Sequence, residues 1–146
     1  MEKRVKPLEI LGADHVAIRV PDLDASVRWY EEKLGFRELL RWEARSYVEL
    51  RVETAYLKRG DVVLEVIGGA APDRLTPAPT TIREEISFVG YSHLCLRVAD
   101  LDAAIDLLRL HGVDVFAGPN VNPEIRRKTA HFLDNDGIPI ELVQYL

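Results

Sequence analysis

GADHVAIRVPDLDA, residues Gly12 to Ala25, decides how this chain is read, because residues Gly90 to Ala103 spell it again as GYSHLCLRVADLDA. An offset of 78 positions (93 − 15) matches His15 with His93, Arg19 with Arg97, and Asp22-Leu23-Asp24-Ala25 with Asp100-Leu101-Asp102-Ala103. A repeat of this kind marks one supersecondary unit that buries its apolar face against its twin. Packing accounts for matched valines and leucines. It gives no reason for a histidine and an arginine to recur at one phase of a strand, so those residues point to a site built from the two copies.

Working outward, Asp14 to Val20 is β-rich and stopped by Pro21, which reads as a strand. Asp22 or Asp24 can cap a helix over Leu23 to Leu34, where Leu23, Val27, Tyr30 and Leu34 recur at intervals of three and four and Gly35 ends the run. Strands follow at Phe36 to Arg45, Tyr47 to Arg59 and Val62 to Ile67. After Gly68 to Pro79, rich in glycine, alanine and proline and read as an unpacked connector, Thr80 to Phe88 has room for one helical turn. The scheme then repeats: a strand at Tyr91 to Val98, a helix at Leu101 to Leu110, and strands at Val113 to Phe116, Lys128 to Leu133 and Ile138 to Tyr145. The expected fold is α+β, with tandem βαβββ modules. The divisions are a tail at 1–11, a first module at 12–67, a linker at 68–89 and a second module at 90–146.

The last strands of the two halves repeat a carboxylate, Glu65 in GDVVLEV and Glu141 in GIPIELV. A glutamate between apolar strand neighbours must be paired, protonated or bound to a metal, because burying it bare costs several kcal/mol. Alone, a strand histidine is usually an ordinary hydrogen-bonded residue and a strand glutamate usually faces solvent. Four such residues at matching positions of a duplicated unit form one set, and His15, Glu65, His93 and Glu141 are read as the ligands of a divalent ion.

With DLDASVRWYEEKLGF after the first histidine and FLDNDGIPIELV around the last glutamate, this ordered set resembles the vicinal oxygen chelate superfamily, from Gly12 to Tyr145, and the resemblance implies that the tandem modules form a half-barrel-like mixed sheet around a metal site. The superfamily includes glyoxalase I, methylmalonyl-CoA epimerase, extradiol dioxygenases and antibiotic-resistance proteins, so the fold does not fix the substrate. Two imidazoles and two carboxylates suit a six-coordinate Lewis acid such as Ni, Co, Zn or Mn; Fe in oxygenases usually has one carboxylate fewer. The resemblance therefore implies a metal-dependent lyase or isomerase of the glyoxalase I type. A carboxylate, Glu141 or Glu65, would take the proton beside a metal-bound carbonyl, and the enediolate would be stabilised by the ion. An epimerase of the methylmalonyl-CoA type, an extradiol-type dioxygenase and an antibiotic-binding protein are the other readings.

Arg19 and Arg97 follow their histidines by four residues and so share their strand face. They are candidate substrate clamps, with Arg19 placed by the resemblance where glyoxalase I holds a glutathione carboxylate; pairing with Asp22 and Asp100 is the plainer alternative. Arg127, within Arg126-Arg127-Lys128, and Phe132 complete the candidate substrate-binding set, for a small molecule such as a glutathione or coenzyme A conjugate. His111 sits at a helix C-terminus, where a cation favours the dipole, and His131 has no assigned face, so neither is counted as a ligand. The lone Cys95 reads as a small buried residue.

Composition sets the remaining bounds. The chain has 146 residues, 47% of them hydrophobic, enough for one domain or two small halves sharing a core. Nineteen basic against 24 acidic residues give a net charge of −5, which disfavours nucleic acid as a partner. No apolar run approaches the roughly 20 residues of a membrane span, and MEKRVKPLEI lacks the core of a signal peptide, so no membrane association and a cytoplasmic location are expected. Small proteins of the resembled superfamily assemble as homodimers, and the same is expected here.

Overall fold

The structure, a computed structural model, describes residues 8–44, 52–69, 72–74 and 76–146. In chain order its elements are β1 (Val16–Arg19), α1 (Leu23–Leu34), β2 (Arg37–Ala44), β3 (Val52–Arg59), β4 (Val62–Ile67), α2 (Ile82–Glu85), β5 (Leu94–Arg97), α3 (Leu101–Leu110), β6 (Val115–Asn122), β7 (Arg127–Leu133) and β8 (Pro139–Tyr145). The first seven residues of the expected tail, and the start of the strand expected from Tyr47, lie outside the described residues.

The repeated Asp-Leu-Asp-Ala is a pair of helix starts. Asp22 accepts the Ala25 N–H at 2.9 Å and Asp100 accepts that of Ala103 at 3.0 Å, each satisfying an orphan donor of the first turn. Gly35, in the left-handed region at φ 68°, closes α1 by donating to Glu31 O.

Two four-stranded mixed sheets result, ordered β1-β4-β3-β2 and β5-β8-β7-β6. In each, the first strand of the module pairs parallel with the last, and the other neighbours are antiparallel. Both sheets are open rather than closed into a barrel. Alternation sends Ala55, Leu57, Leu64 and Val66 of one sheet, and Ala130, Phe132, Ile140 and Leu142 of the other, into one core with Leu23, Val27 and Tyr30 of α1 and Leu101, Ile105 and Leu108 of α3. Tyr56, Glu65, His131 and Glu141 have the opposite parity and lie on the faces turned away from α1 and α3.

One strand outruns its expected length. The strand expected at Val113 to Phe116 instead begins at Val115 and continues through Gly118-Pro119 to Asn122, with register shifts between Val115 and Asn120. It can do so because β6 is an edge strand, where a proline costs no ladder bond on the open side. The connector also departs from expectation. Its described residues Arg74 and Ala78 meet the β7–β8 turn, Arg74 donating to the Asp136 carbonyl and Ala78 standing against Gly137.

The halves are joined from the helix side. Trp29 stacks on Phe132 with ring centroids 6.5 Å apart, Tyr30 Oη donates to Asp134 at 2.8 Å, and Ser26 Oγ donates to Asp136 at 2.7 Å. Asp134 also accepts the Asp136 and Ile138 N–H groups, each at 2.9 Å, so one carboxylate ties the turn to itself and to α1. Burial raises the pKa values of both Tyr30 and Asp134. No helix among the described residues is long and apolar enough to cross a membrane.

Among the described residues no buried side-chain polar atom lacks a partner. Tyr30→Phe would leave one of the Asp134 oxygens without its donor, at a cost of about 1–3 kcal/mol. Urea denaturation followed by Trp29 fluorescence should show the midpoint fall with the slope unchanged.

Candidate metal and active site

Each sheet brings its own histidine to its own glutamate. In the first, Glu65 stands beside Ala17 across the β1–β4 pairing, and His15 precedes Ala17 by two residues on the same face. His15 Nε2 lies 3.1 Å from Glu65 Oε2. In the second, Glu141 stands beside Cys95, and His93 Nε2 lies 3.2 Å from Glu141 Oε2. Two ligands bound at right angles, each about 2.1 Å from an ion, stand about 3.0 Å apart, so both pairs fit adjacent positions on one metal. The Nδ1 atoms are engaged as well, His15 with Asp14 at 2.7 Å and His93 with Glu85 at 2.5 Å, the outer-shell arrangement that fixes a ligating imidazole. On donor chemistry and spacing, then, the residues fit a divalent ion.

The four expected ligands do not form one group within a single chain. Among the described residues, the group whose ligand atoms all lie within 4.8 Å of one another is Glu85, His93 and His131. His15 and Glu65 remain a separate pair on the other sheet.

Glu85 and His131 are the residues that the sequence reading passed over. His131 pairs directly with Glu141 across β7–β8, and its Nε2 is 3.4 Å from Glu141 Oε1. Hairpin counting from the Asp134–Gly137 turn would have found it. Its counterpart in the first sheet is Tyr56, opposite Glu65 and edge-on to His15 at 5.4 Å. Glu85 comes from α2, whose start is fixed by Thr81 accepting the Glu84 N–H while Glu84 accepts from Thr80. That Thr-x-x-Glu signature is legible, but nothing local says that the next residue turns inward.

The substrate-binding candidates separate. Arg97 and Arg127 flank the Tyr145 ring, their guanidinium carbons 5.3 and 3.6 Å from its centroid, on the face that carries His93 and Glu141. Arg19 instead donates to the Val20 and Ile67 carbonyls at 2.7 and 2.8 Å, where it steadies the end of β4. Phe132 has the opposite parity to His131; it is fully buried against Trp29 and packs the core beneath the site instead of lining it. Cys95, expected to be buried, is exposed on the site face. Desolvation of its sulfur, together with a hydrogen bond to Glu141 and that group's charge, pushes its pKa up to about 12, so it stands as a protonated thiol.

Two βαβββ modules, each presenting a histidine and a glutamate on its open face, define a duplicated fold whose side chains could hold a metal ion. The chain belongs to the Glyoxalase/Bleomycin resistance protein/Dioxygenase superfamily, whose sequence model matches residues 12–142. It is 31% identical over 149 residues to 2-epi-5-epi-valiolone epimerase of Actinomyces sp, covering 91% of this chain and 79% of that protein. The glyoxalase family protein of Enterococcus faecalis superposes with a TM-score of 0.72 at 27% identity, over 92% of this chain and 98% of that one. The fosfomycin resistance protein FosX of Listeria monocytogenes, solved with Mn(II) and sulfate, shares the fold with a TM-score of 0.63 at 16% identity, over 94% and 95%.

The hydrogen bond that His15 donates to Asp14 is the largest cause raising the His15 pKa, with Glu65 adding to it and burial opposing it. Asp14→Asn should therefore move the His15 titration midpoint down toward the ordinary value of 6.5, which an NMR titration of the metal-free protein will read.

Proposed function

We infer that this protein is a metal-dependent isomerase or lyase of the glyoxalase I kind, acting as a homodimer on a 2-hydroxycarbonyl compound. The observation that carries this reading is the recurrence of one histidine–glutamate pair, with separations of 3.1 and 3.2 Å, on the open faces of two duplicated sheets. Because the halves of one chain join from the helix side, both faces are turned outward from that joint. A twofold-related copy would set His15 and Glu65 of one chain against His93 and Glu141 of the other, completing a four-ligand site twice.

His15, Glu65, His93 and Glu141 would hold the ion, which could be Mn, Ni, Co, Zn or Fe. When bound, it supplies Lewis acidity that polarises a substrate carbonyl and steadies an enediolate. The proton itself is moved by this chain's carboxylates. Glu65 and Glu141 approach from different sheets, so one can remove a proton from the carbon next to the carbonyl while the other returns one from the opposite face, inverting the centre. The 31% identical epimerase favours inversion over the lyase outcome. Arg97 and Arg127 lie four strand residues from His93 and His131, about 13 Å at the usual rise, which suits a substrate with an anionic tail such as a glutathione or coenzyme A conjugate.

In D₂O with Mn²⁺, Ni²⁺, Co²⁺ or Zn²⁺, a 2-hydroxyketone panel should take up deuterium at the carbon beside the carbonyl. Glu141→Gln should slow that exchange about 10²–10⁴-fold. Methylglyoxal with glutathione tests the lyase branch through thioester formation; exchange with no substrate and no metal would defeat the reading. For the shared site, His15→Ala and Glu141→Ala chains should each be inactive and regain about a quarter of wild-type activity when remixed, since half the dimers then carry one intact site. A site lying within one chain would regain none.

A further inference from the structure

We propose that Glu85, carried on the connector between the modules, is the positioning residue of the second half-site. It holds His93 and His131 in one tautomer, so that both present a bare Nε2 toward Glu141. The inference rests on the reading of His93 and Glu141 as metal ligands, and extends it to two residues that the repeat does not contain.

The geometry is a closed ring of alternating carboxylates and imidazoles. Glu85 Oε1 lies 2.5 Å from His93 Nδ1 and Oε2 lies 3.1 Å from His131 Nδ1. On the far side, His93 Nε2 and His131 Nε2 lie 3.2 and 3.4 Å from the two oxygens of Glu141. The imidazole rings stand edge to face, 5.4 Å apart at 87°. A carboxylate oxygen accepts and a neutral imidazole has one N–H to give, so each ring must choose between Glu85 and Glu141. The shorter contacts, to the more deeply buried Glu85, take both protons at Nδ1 and leave both Nε2 lone pairs toward Glu141, where a bound ion would stand between them and its oxygens.

Burial separates the roles of the two glutamates. The Glu85 side chain is 1% exposed, against 17% for Glu141. An ion with room for substrate and water belongs on the open side, and both Glu85 oxygens are already taken up at hydrogen-bond distance by the two Nδ1 atoms. Glu85 therefore acts through the histidines. A carboxylate this deeply buried must itself be satisfied, and two N–H donors do so. Among the described residues the first half-site has no equivalent: His15 leans on Asp14, whose side chain is 92% exposed, and Tyr56 occupies the place of His131.

Glu85→Gln is a sharp probe because it keeps the shape and changes the donors. Its amide oxygen can accept from one imidazole, but its nitrogen can only donate, which forces the other imidazole to reverse its tautomer and turn an N–H toward the ion position. Long-range ¹H–¹⁵N NMR of the metal-free protein, at a pH where the imidazoles are neutral, should show His93 and His131 both protonated at Nδ1 in the wild type. In the variant one of the two should be reversed, with His15 unchanged. Chelator competition with Mn²⁺, Ni²⁺ and Zn²⁺ should show affinity reduced 10- to 100-fold. An Nε2–H form of either histidine in the wild type overturns the proposal without any variant, as does a folded Glu85→Gln protein with both tautomers and metal affinity intact. A wild-type protein that binds no divalent ion would sink the metal reading instead, while the tautomers still decide whether Glu85 sets the two rings.

Discussion

The parallel pairing of the first and last strands of each module is the constraint on which the site depends. It sets Glu65 beside Ala17 and Glu141 beside Cys95, and with them the histidines two residues earlier on the same faces. A slip of one residue in either pairing would carry the glutamate into a core filled by Leu64 and Val66, or by Ile140 and Leu142. The apolar residues flanking each glutamate thus specify the register, and the register delivers the chemistry. Core packing and site geometry are in this sense one requirement, since a strand with one buried face has a single acceptable phase.

Much of this was legible because duplication wrote it twice. The paired Asp-Leu-Asp-Ala caps, the helices from Leu23 to Leu34 and from Leu101 to Leu110, and the membership of the superfamily all follow from the repeat. What escaped has physical causes. Strand β6 runs through Pro119 because its edge position removes the usual penalty, and edge position is a tertiary fact. Phe132 and His131 are neighbours in sequence and so face opposite ways; choosing the aromatic as the pocket residue chose the wrong parity. Glu85 sits outside the repeat, on a short helix whose inward turn is decided by its contact with the second sheet.

The same duplication shows where the halves have diverged. His131 stands where the first sheet has Tyr56, Cys95 where it has Ala17, and a buried Glu85 supports His93 where an exposed Asp14 supports His15. The paired arginines have parted as well. Arg19 is held on backbone carbonyls at the end of β4, whereas Arg97 lies by Tyr145 with Arg127 on the open face. Among the described residues, the second sheet sets His131, Arg97, Arg127 and Tyr145 on the face of its histidine–glutamate pair, whereas the first sets Tyr56 beside its own.

That imbalance bears on how the halves can cooperate. In the second half, the buried Glu85 carboxylate meets both Nδ1 atoms, so its imidazoles lose little freedom when a ligand arrives. In the first half, the Asp14–His15 contact is open to water, and its hold on the ring is correspondingly weaker. A ligand needing both halves would meet one preorganised surface and one that must be ordered on binding. The rigid side would then set the position of the ion, and the looser side would decide how readily the site opens to admit and release what binds there.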